Sequence, residues 1–351
     1  MRVALVASCN YPIRQPFAGG LEAHTWTLAR GLRQRGHRVT VFAAAGSDPG
    51  LDVVELTPAR AEISPAARRD VSMAPEQWLQ DHHAYLQLML ELARPDAPYE
   101  VVHNNSLHYL PVATAGLLSV PMVATLHTPP TPWLESAVQL GASPIHFVAV
   151  SKHTAGAWSH RIAAAQVINN GVDASLWPPG DGGGRAIWSG RIVPEKGPHL
   201  AIQAAELAGW ELDLVGPVGD RPYFDEEIRP RLGARARYLG HLNQTELSAL
   251  VRAASVCLVT PRWDEPYGLV AAEALASGTP VCGFDRGGLS EVVSADVAVL
   301  VAPDDVAALA AAIPKAARLS RLAARRRALS ACSADAMINA YVELYRRAGR
   351  R

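Results

Sequence analysis

Short apolar runs alternate with stretches of helical periodicity along almost the whole chain, and this alternation restricts the fold more than any other feature. The first run, Val3–Ala7, leads into a loop, Ser8–Ala18, that contains Pro12 and Pro16. Gly19-Gly20 then opens a helix expected to run through Arg35, with Leu21, Thr25, Leu28, Ala29 and Leu32 on one face and Gly36 as its stop. Strand-like runs return at Val39–Ala43, Val53-Val54, Val101-Val102, Val120–Leu126 and His146–Val150, and a long helix is expected over Pro75–Ala93. Strands separated by helices pair in parallel, because each helix must carry the chain back across the sheet through a right-handed crossover.

Val167–Arg185 breaks this pattern with NNGVD and PPGDGGG, a turn-rich linker. A second alternating unit follows it. Strands are predicted at Ala186–Ser189, Glu211–Val215, Arg237–Leu239, Val256–Thr260, Val281–Phe284 and Val297–Val301. Pro198 starts a helix that runs to Ala208, and Asn243 with Glu246 forms a capping box for a helix ending at Ala253. At 351 residues the chain is long enough for two ordinary domains. The expected fold is α/β: two doubly wound, Rossmann-like domains, residues 1–168 and 169–332, facing each other across a cleft. Residues 333–351 carry Met337, Ile338, Tyr341, Leu344 and Tyr345 at helical spacing.

Within the second unit, PRWDEPYGLVAAEALASGTPV (Pro261–Val281) places Glu265 and Glu273 eight positions apart. Continuous helix would turn the two carboxylates to different faces, at about 100° per residue. A tight loop carrying Glu265, with a helix starting near Gly268, instead sets Glu265 at the helix mouth and Glu273 inside it. The free N–H groups of Gly268, Leu269 and Val270, just after Tyr267, then point into the same space. Amides flanked by two acids suit a nucleotide sugar, with phosphate on the amides and hydroxyls on the carboxylates. Ser189–Gly197 (SGRIVPEKG) puts Arg191 and Lys196 after the carboxyl end of a strand, where open α/β sheets bind ligands. Taken alone they are either solvated loop cations or a clamp for a diphosphate. His127, in ATLHTPP, is in isolation a hydrogen-bonded core histidine as readily as a functional one.

The run from Pro261 to Val281 closely resembles the E-x7-E signature of retaining GT-B glycosyltransferases, in particular glycosyltransferase family 4. GGLEAHTWTLARGLRQRGHRVTVF, from Gly19, and SGRIVPEKG are similar to that family's N-terminal and phosphate-clamp patterns. The resemblance spans nearly the whole chain and is weakest over Asp52–Glu100. It implies that Glu265 contacts the donor sugar and Glu273 the ribose. It also implies that Gly19 and Gly20 reach the distal phosphate, that Arg191 and Lys196 clamp the diphosphate, and that His127 sits beside the sugar. The implied activity is retaining, metal-independent transfer of a hexosyl group from a nucleotide-diphosphate sugar, a UDP-sugar first, to a hydroxyl acceptor. No cofactor beyond the donor is implied. The acceptor would be a hydrophilic small molecule or a glycan meeting the first domain, and the C-terminal helix would return to that domain. A sugar phosphorylase or nucleotide-sugar epimerase on the same scaffold is the alternative. Ser151-Lys152, Asn170–Asp173 and Glu291 also follow the family's course, with Glu291 read as helix-start packing.

Other classes lack their residues. Lys plus Arg equals Asp plus Glu at 33 each, so no overall field draws in nucleic acid. There is no G-x-G-x-x-G, no P-loop, no H-E-x-x-H and no Asp-x-Asp in the sequence. Cys9, Cys257, Cys282 and Cys332 have neither metal nor redox spacing, and Cys257 and Cys282 are expected as inert core thiols of a cytoplasmic protein. No run is long enough for a membrane span. Arg325-Arg326-Arg327, and Arg346-Arg347 with Arg350-Arg351, are read as solvated helix faces, with peripheral membrane contact as a minor reading.

Overall fold

A computed structural model describes residues 1–56, 63–140 and 145–349. The first sheet has seven strands: β1 (Arg2–Val6), β2 (Arg38–Ala43), β3 (Asp52–Glu55), β4 (Val101–Asn104), β5 (Met122–Leu126), β6 (Ile145–Ala149) and β7 (Gln166–Val167). Their order is β3-β2-β1-β4-β5-β6-β7, and every pairing is parallel. The second sheet has six: β8 (Ala186–Ser189), β9 (Leu212–Val215), β10 (Ala236–Tyr238), β11 (Cys257–Val259), β12 (Val281–Phe284) and β13 (Ala298–Val301). Their order is β10-β9-β8-β11-β12-β13, again parallel throughout. Both units are therefore Rossmann-like, as the alternation predicts. Val167, read as the start of the linker, instead closes the edge of the first sheet as part of β7.

The strands are apolar on both faces because helices cover both. Val3, Ala4, Leu5 and Val6 of β1 are all fully buried, alternating between two core clusters. Helix Gly20–Gln34 covers one face with Leu28, Ala29 and Leu32. Each of the two buried leucines contributes roughly 1.5–3 kcal/mol. Helix Ala334–Ala348 packs on the same cluster through Met337, Ile338, Tyr341, Val342 and Tyr345, so the last helix lies against the first domain. A buried polar chain fixes its register. The Tyr345 hydroxyl is 2.6 Å from His103 Nδ1, His103 Nε2 is 2.8 Å from Thr125 Oγ1, and Thr125 Oγ1 is 3.0 Å from the Tyr341 hydroxyl.

The basic run at Arg325–Arg327 departs from the solvated reading. Arg325 donates to the carbonyls of Ala276, Trp177 (2.6 Å) and Ala174 (3.0 Å). It thereby places a cation at the carboxyl end of helix Leu269–Ala276, where the helix dipole favours one. Arg327 donates to the carbonyls of Glu291 and Val292 at 2.7 and 2.9 Å. Arg326 and Arg346 are exposed as expected, while Arg350 and Arg351 lie outside the described residues. Among the described residues, no helix is long and apolar enough to cross a membrane.

Candidate active site

In both sheets the strand order reverses beside the first strand of the unit, between β1 and β4 and between β8 and β11. Doubly wound sheets bind ligands outside the carboxyl ends of their strands at such a reversal. Here the two reversals face one cavity of about 500 Å³ between the lobes. Loops after β1, β5, β8 and β11 line it, bringing together Gly19, Gly20, His127, Arg191, Lys196, Glu265, Tyr267, Gly268, Leu269 and Val270. Glu273 is the exception among the residues singled out from sequence. It faces an adjoining cavity of about 130 Å³, shared with Gly19, Gly20, Arg191, Gly216, His241 and Leu242.

The acidic loop is held open by backbone geometry. Gly268 stands at φ +103°, ψ 53° as the N-cap of helix Leu269–Ala276, in the left-handed region that L side chains rarely adopt. A Cβ there would also come within 3.1 Å of Leu289. Gly268→Ala is therefore expected to lower Tm by several degrees and to weaken nucleoside diphosphate binding at least tenfold, because it re-aims the helix-mouth amides. Thermal melts and calorimetric titration check both effects. Gly287, at φ +68°, supports the loop from behind, and a Cβ on it would meet the Glu265 carbonyl at 2.2 Å.

Lys196 ends a short turn, Pro194–Lys196, anchored by the Thr260 hydroxyl, which lies 2.9 Å from the Gly197 carbonyl. Its Nζ is 2.5 Å from Glu265 Oε2. Trp263 Nε1 donates to the same carboxylate oxygen at 3.1 Å, and the Lys196 ammonium lies 5.0 Å from the Trp263 ring centroid. Sequence reasoning assigned Lys196 and Glu265 to different parts of a donor and missed that they pair. The pair is partly buried, with side-chain exposures of 23% and 15%, so each charge offsets the other's desolvation. Arg191 is exposed in the cleft, and its Nε lies 3.9 Å from where a Cβ on Gly19 would sit.

His127 donates from Nε2 to Asn105 Oδ1 at 3.0 Å. Burial, reinforced by His24 and His103, holds the imidazole well below its ordinary pKa, so it is neutral. A neutral, hydrogen-bonded ring positions a ligand better than it shuttles protons. His24 packs edge-on against it, with ring centroids 5.0 Å apart, and neither of its nitrogens has a hydrogen-bond partner among the described residues. Glu22, which also lines the larger cavity, is nearly buried, and its carboxyl is pushed up by that burial against the opposing pull of Arg191. Neither His24 nor Glu22 was distinguished as a site residue from sequence, since the opening turns of a helix give no sign of facing a second domain.

Burial pushes the Glu273 carboxyl up to about 8. With the folded value above the unfolded 4.5, the protonated form is favoured, and stability is lost as pH rises from about 4.5 through 8. Glu273→Gln, which mimics the protonated acid, is expected to match the wild type near pH 4 and to exceed its Tm by a margin that grows with pH to roughly 5 °C at pH 9. A thermal melt series from acid to alkaline pH reads this, and coincident curves at every pH would contradict it.

The lobes also touch directly. Ser151 Oγ donates to the Pro266 carbonyl at 2.6 Å. Glu291, read from sequence as packing at its own helix start, accepts from Lys152 N and His153 N at 2.9 and 2.8 Å. It therefore caps helix Lys152–Trp158 of the other domain.

Two family models match the chain: "Glycosyltransferase Family 4" over residues 18–176 and "Glycosyl transferases group 1" over residues 180–330. Glycogen synthase of Mycobacterium tuberculosis is 30% identical, covering 98% of this chain and 94% of that protein. D-inositol 3-phosphate glycosyltransferase of Xylanimonas cellulosilytica is 31% identical, covering 99% and 97%. Among solved structures, sucrose-phosphate synthase from Thermosynechococcus elongatus superposes with TM-score 0.78 at 20% identity, covering 99% of this chain and 98% of that one. Anabaena Alr3699/HepE in complex with UDP-glucose does so with TM-score 0.78 at 19% identity, covering 99% and 100%. The two matched halves, the relatives aligned over nearly their full length and the paired Rossmann-like lobes agree: this chain belongs to the family 4 type of GT-B glycosyltransferases and is a hexosyltransferase.

Proposed function

We propose that the chain moves a hexosyl group from a nucleoside diphosphate sugar, with UDP as the first choice of nucleotide, to an acceptor hydroxyl, with retention and without a metal ion. The observation that carries this reading is the convergence of two cations, a helix mouth and Glu265 on one interdomain cavity. Arg191 and the amides at Gly268–Val270 meet the diphosphate. Lys196 exchanges Glu265 for a phosphate oxygen, and the freed carboxylate takes the sugar's hydroxyls. Glu273 and the backbone near His241 take the nucleoside in the smaller cavity. The acceptor oxygen bonds to the anomeric carbon on the face the diphosphate is leaving. The bond from that carbon to phosphate breaks with its electron pair on the diphosphate, which receives the acceptor's proton. Preorganised positive charge at the leaving group lowers that barrier and fills the role a divalent cation would otherwise take. A cytoplasmic setting is part of the same reading, supported by four free thiols, of which burial pushes Cys257 and Cys282 up to about 12.

The test is turnover of a panel of UDP- and GDP-hexoses, followed by release of nucleoside diphosphate in the presence of a chelator. Mass spectrometry identifies the product and NMR its anomeric configuration. Retained configuration at an unchanged rate in chelator supports the proposal. Inversion, loss of rate with chelator, or cleavage that requires inorganic phosphate overturns it.

A further inference from the structure

Building on that reading, we propose that an aromatic track leading out of the cavity binds an oligosaccharide, so that the acceptor is a glycan chain and not a single small polyol. The track starts at the cavity wall with Tyr85 and His108, whose rings stack at 4.4 Å and 20°. His108 stacks on Tyr109 at 4.8 Å, and Tyr109 on Trp133 at 5.1 Å. Trp133 meets Trp78 at 5.9 Å with the indole planes inclined by 47°, and His82 stacks on Trp78 at 5.3 Å. The inner end is covered and the outer end is not: Tyr85 is 3% exposed, Trp78 36% and Trp133 58%. One sugar-sized acceptor beside the donor would use only the inner end. The outer indoles are built into the same stack yet keep their surface open.

The chemistry alongside is that of sugar recognition. A pyranose has an apolar C–H face that lies on the electron-rich face of an aromatic ring, and an equatorial rim of hydroxyls that needs polar partners. Those partners are present. Asp81 accepts from Asn10 Nδ2 at 2.9 Å and from Gln77 Nε2 at 2.8 Å, and Gln77 Nε2 also donates to Asn10 Oδ1 at 3.1 Å. Asn10 and Asp81 both line the cavity. An anionic membrane surface fits less well, because it needs uncompensated cations. The flanking Arg68 and Arg161 are each paired with a carboxylate, Glu76 and Glu135.

The test uses linear gluco-, manno- and galacto-oligosaccharides of α and β linkage, from monosaccharide to heptasaccharide, as acceptors and as immobilised ligands. In the wild type, KM is expected to fall with chain length for at least one series while kcat stays level. Trp133→Ala and Trp78→Ala, both at exposed positions, are expected to abolish that gain, raising KM for the longest member about tenfold or more. Trp133→Phe should restore most of it, and the Kd for UDP should not move. A wild-type KM independent of length, or a gain that survives in the double alanine variant, overturns the proposal. So does tryptophan-dependent binding to phosphatidylglycerol vesicles without glycan binding. Unaltered UDP binding with no glycan response removes this inference alone, whereas absence of UDP binding removes the donor reading as well.

Discussion

Lys196→Ala is expected to cut kcat by about 100-fold to 1000-fold, the usual cost of removing one preorganised donor to a developing anion. Melting should change far less. The residue sits on a surface-proximal turn whose backbone is held by Thr260, and Trp263 still donates to the Glu265 carboxylate once the ammonium is gone. The Lys196–Glu265 pair makes this variant more informative than Arg191→Ala. Losing the ammonium leaves Glu265 without its only ion-pair partner among the described residues. Glu265→Gln should therefore recover melting temperature in the Lys196→Ala background without recovering rate. Steady-state kinetics on the single and double variants, with differential scanning fluorimetry on the same samples, separate the two effects. A Lys196→Ala enzyme that turns over normally would remove the ammonium from the mechanism.

Acid is expected to unfold the first domain well before it protonates the surface carboxylates. Burial holds His24 down to about 4 and His103 down to about 3, and holds His127 well below its ordinary value. All three are neutral in the fold. Unfolded, they bind protons near the ordinary 6.5. Their contribution to stability is thus complete above about 6.5 and is lost as pH falls from there towards the folded values. Each group costs about 1.4 kcal/mol per pH unit in that window, so three together cost on the order of 4 kcal/mol per unit. Against a total stability of about 5–15 kcal/mol, Tm should drop on the order of 10 °C or more between pH 7 and pH 5. His24→Phe isolates part of the effect. Neither His24 nitrogen has a hydrogen-bond partner to lose among the described residues, and the ring already packs edge-on against His127 and Tyr341. That variant should keep its stability at pH 7 and gain on the wild type below pH 6. A flat Tm across this range would show that these imidazoles are solvated in the fold.

Much of this architecture is legible in the residues themselves. Continuous apolar runs such as Val3–Val6 and Val281–Phe284 can be satisfied only by burial on both faces, so β1 and β12 follow with their helices. Asn243 and Glu246 form the full capping box that their spacing predicts, with Glu246 N donating to Asn243 Oδ1 at 3.0 Å. Local pattern fails where a side chain finds its partner in distant chain. β7 is two residues long and carries too little periodicity to stand out from the linker. Arg325 and Arg327 look solvated on a helix of low apolar content, and nothing nearby in sequence marks the carbonyls at Ala174, Trp177 and Glu291 that they reach. For the site, the motif run around Glu265 locates the helix mouth, because glycine at 268 is a backbone requirement visible in the sequence. Motifs are silent on the Lys196–Glu265 pair and on the division of Glu265 and Glu273 between adjoining cavities. Both depend on how two lobes meet. The aromatic track likewise joins helix Glu76–Leu92, in the stretch where the family resemblance is weakest, to the loop at His108 and to Trp133 at the start of helix Pro132–Leu140.

Calorimetric titration of UDP into the wild type and into the Arg191→Ala/Lys196→Ala double variant tests the central claim most directly, since it asks only whether the cations between the lobes grip a diphosphate. The account predicts saturable heat at one site per chain in the wild type, with affinity for the double variant weakened about 100-fold or more. Equal affinity in the two proteins, or no heat from the wild type with any nucleoside diphosphate, would contradict it.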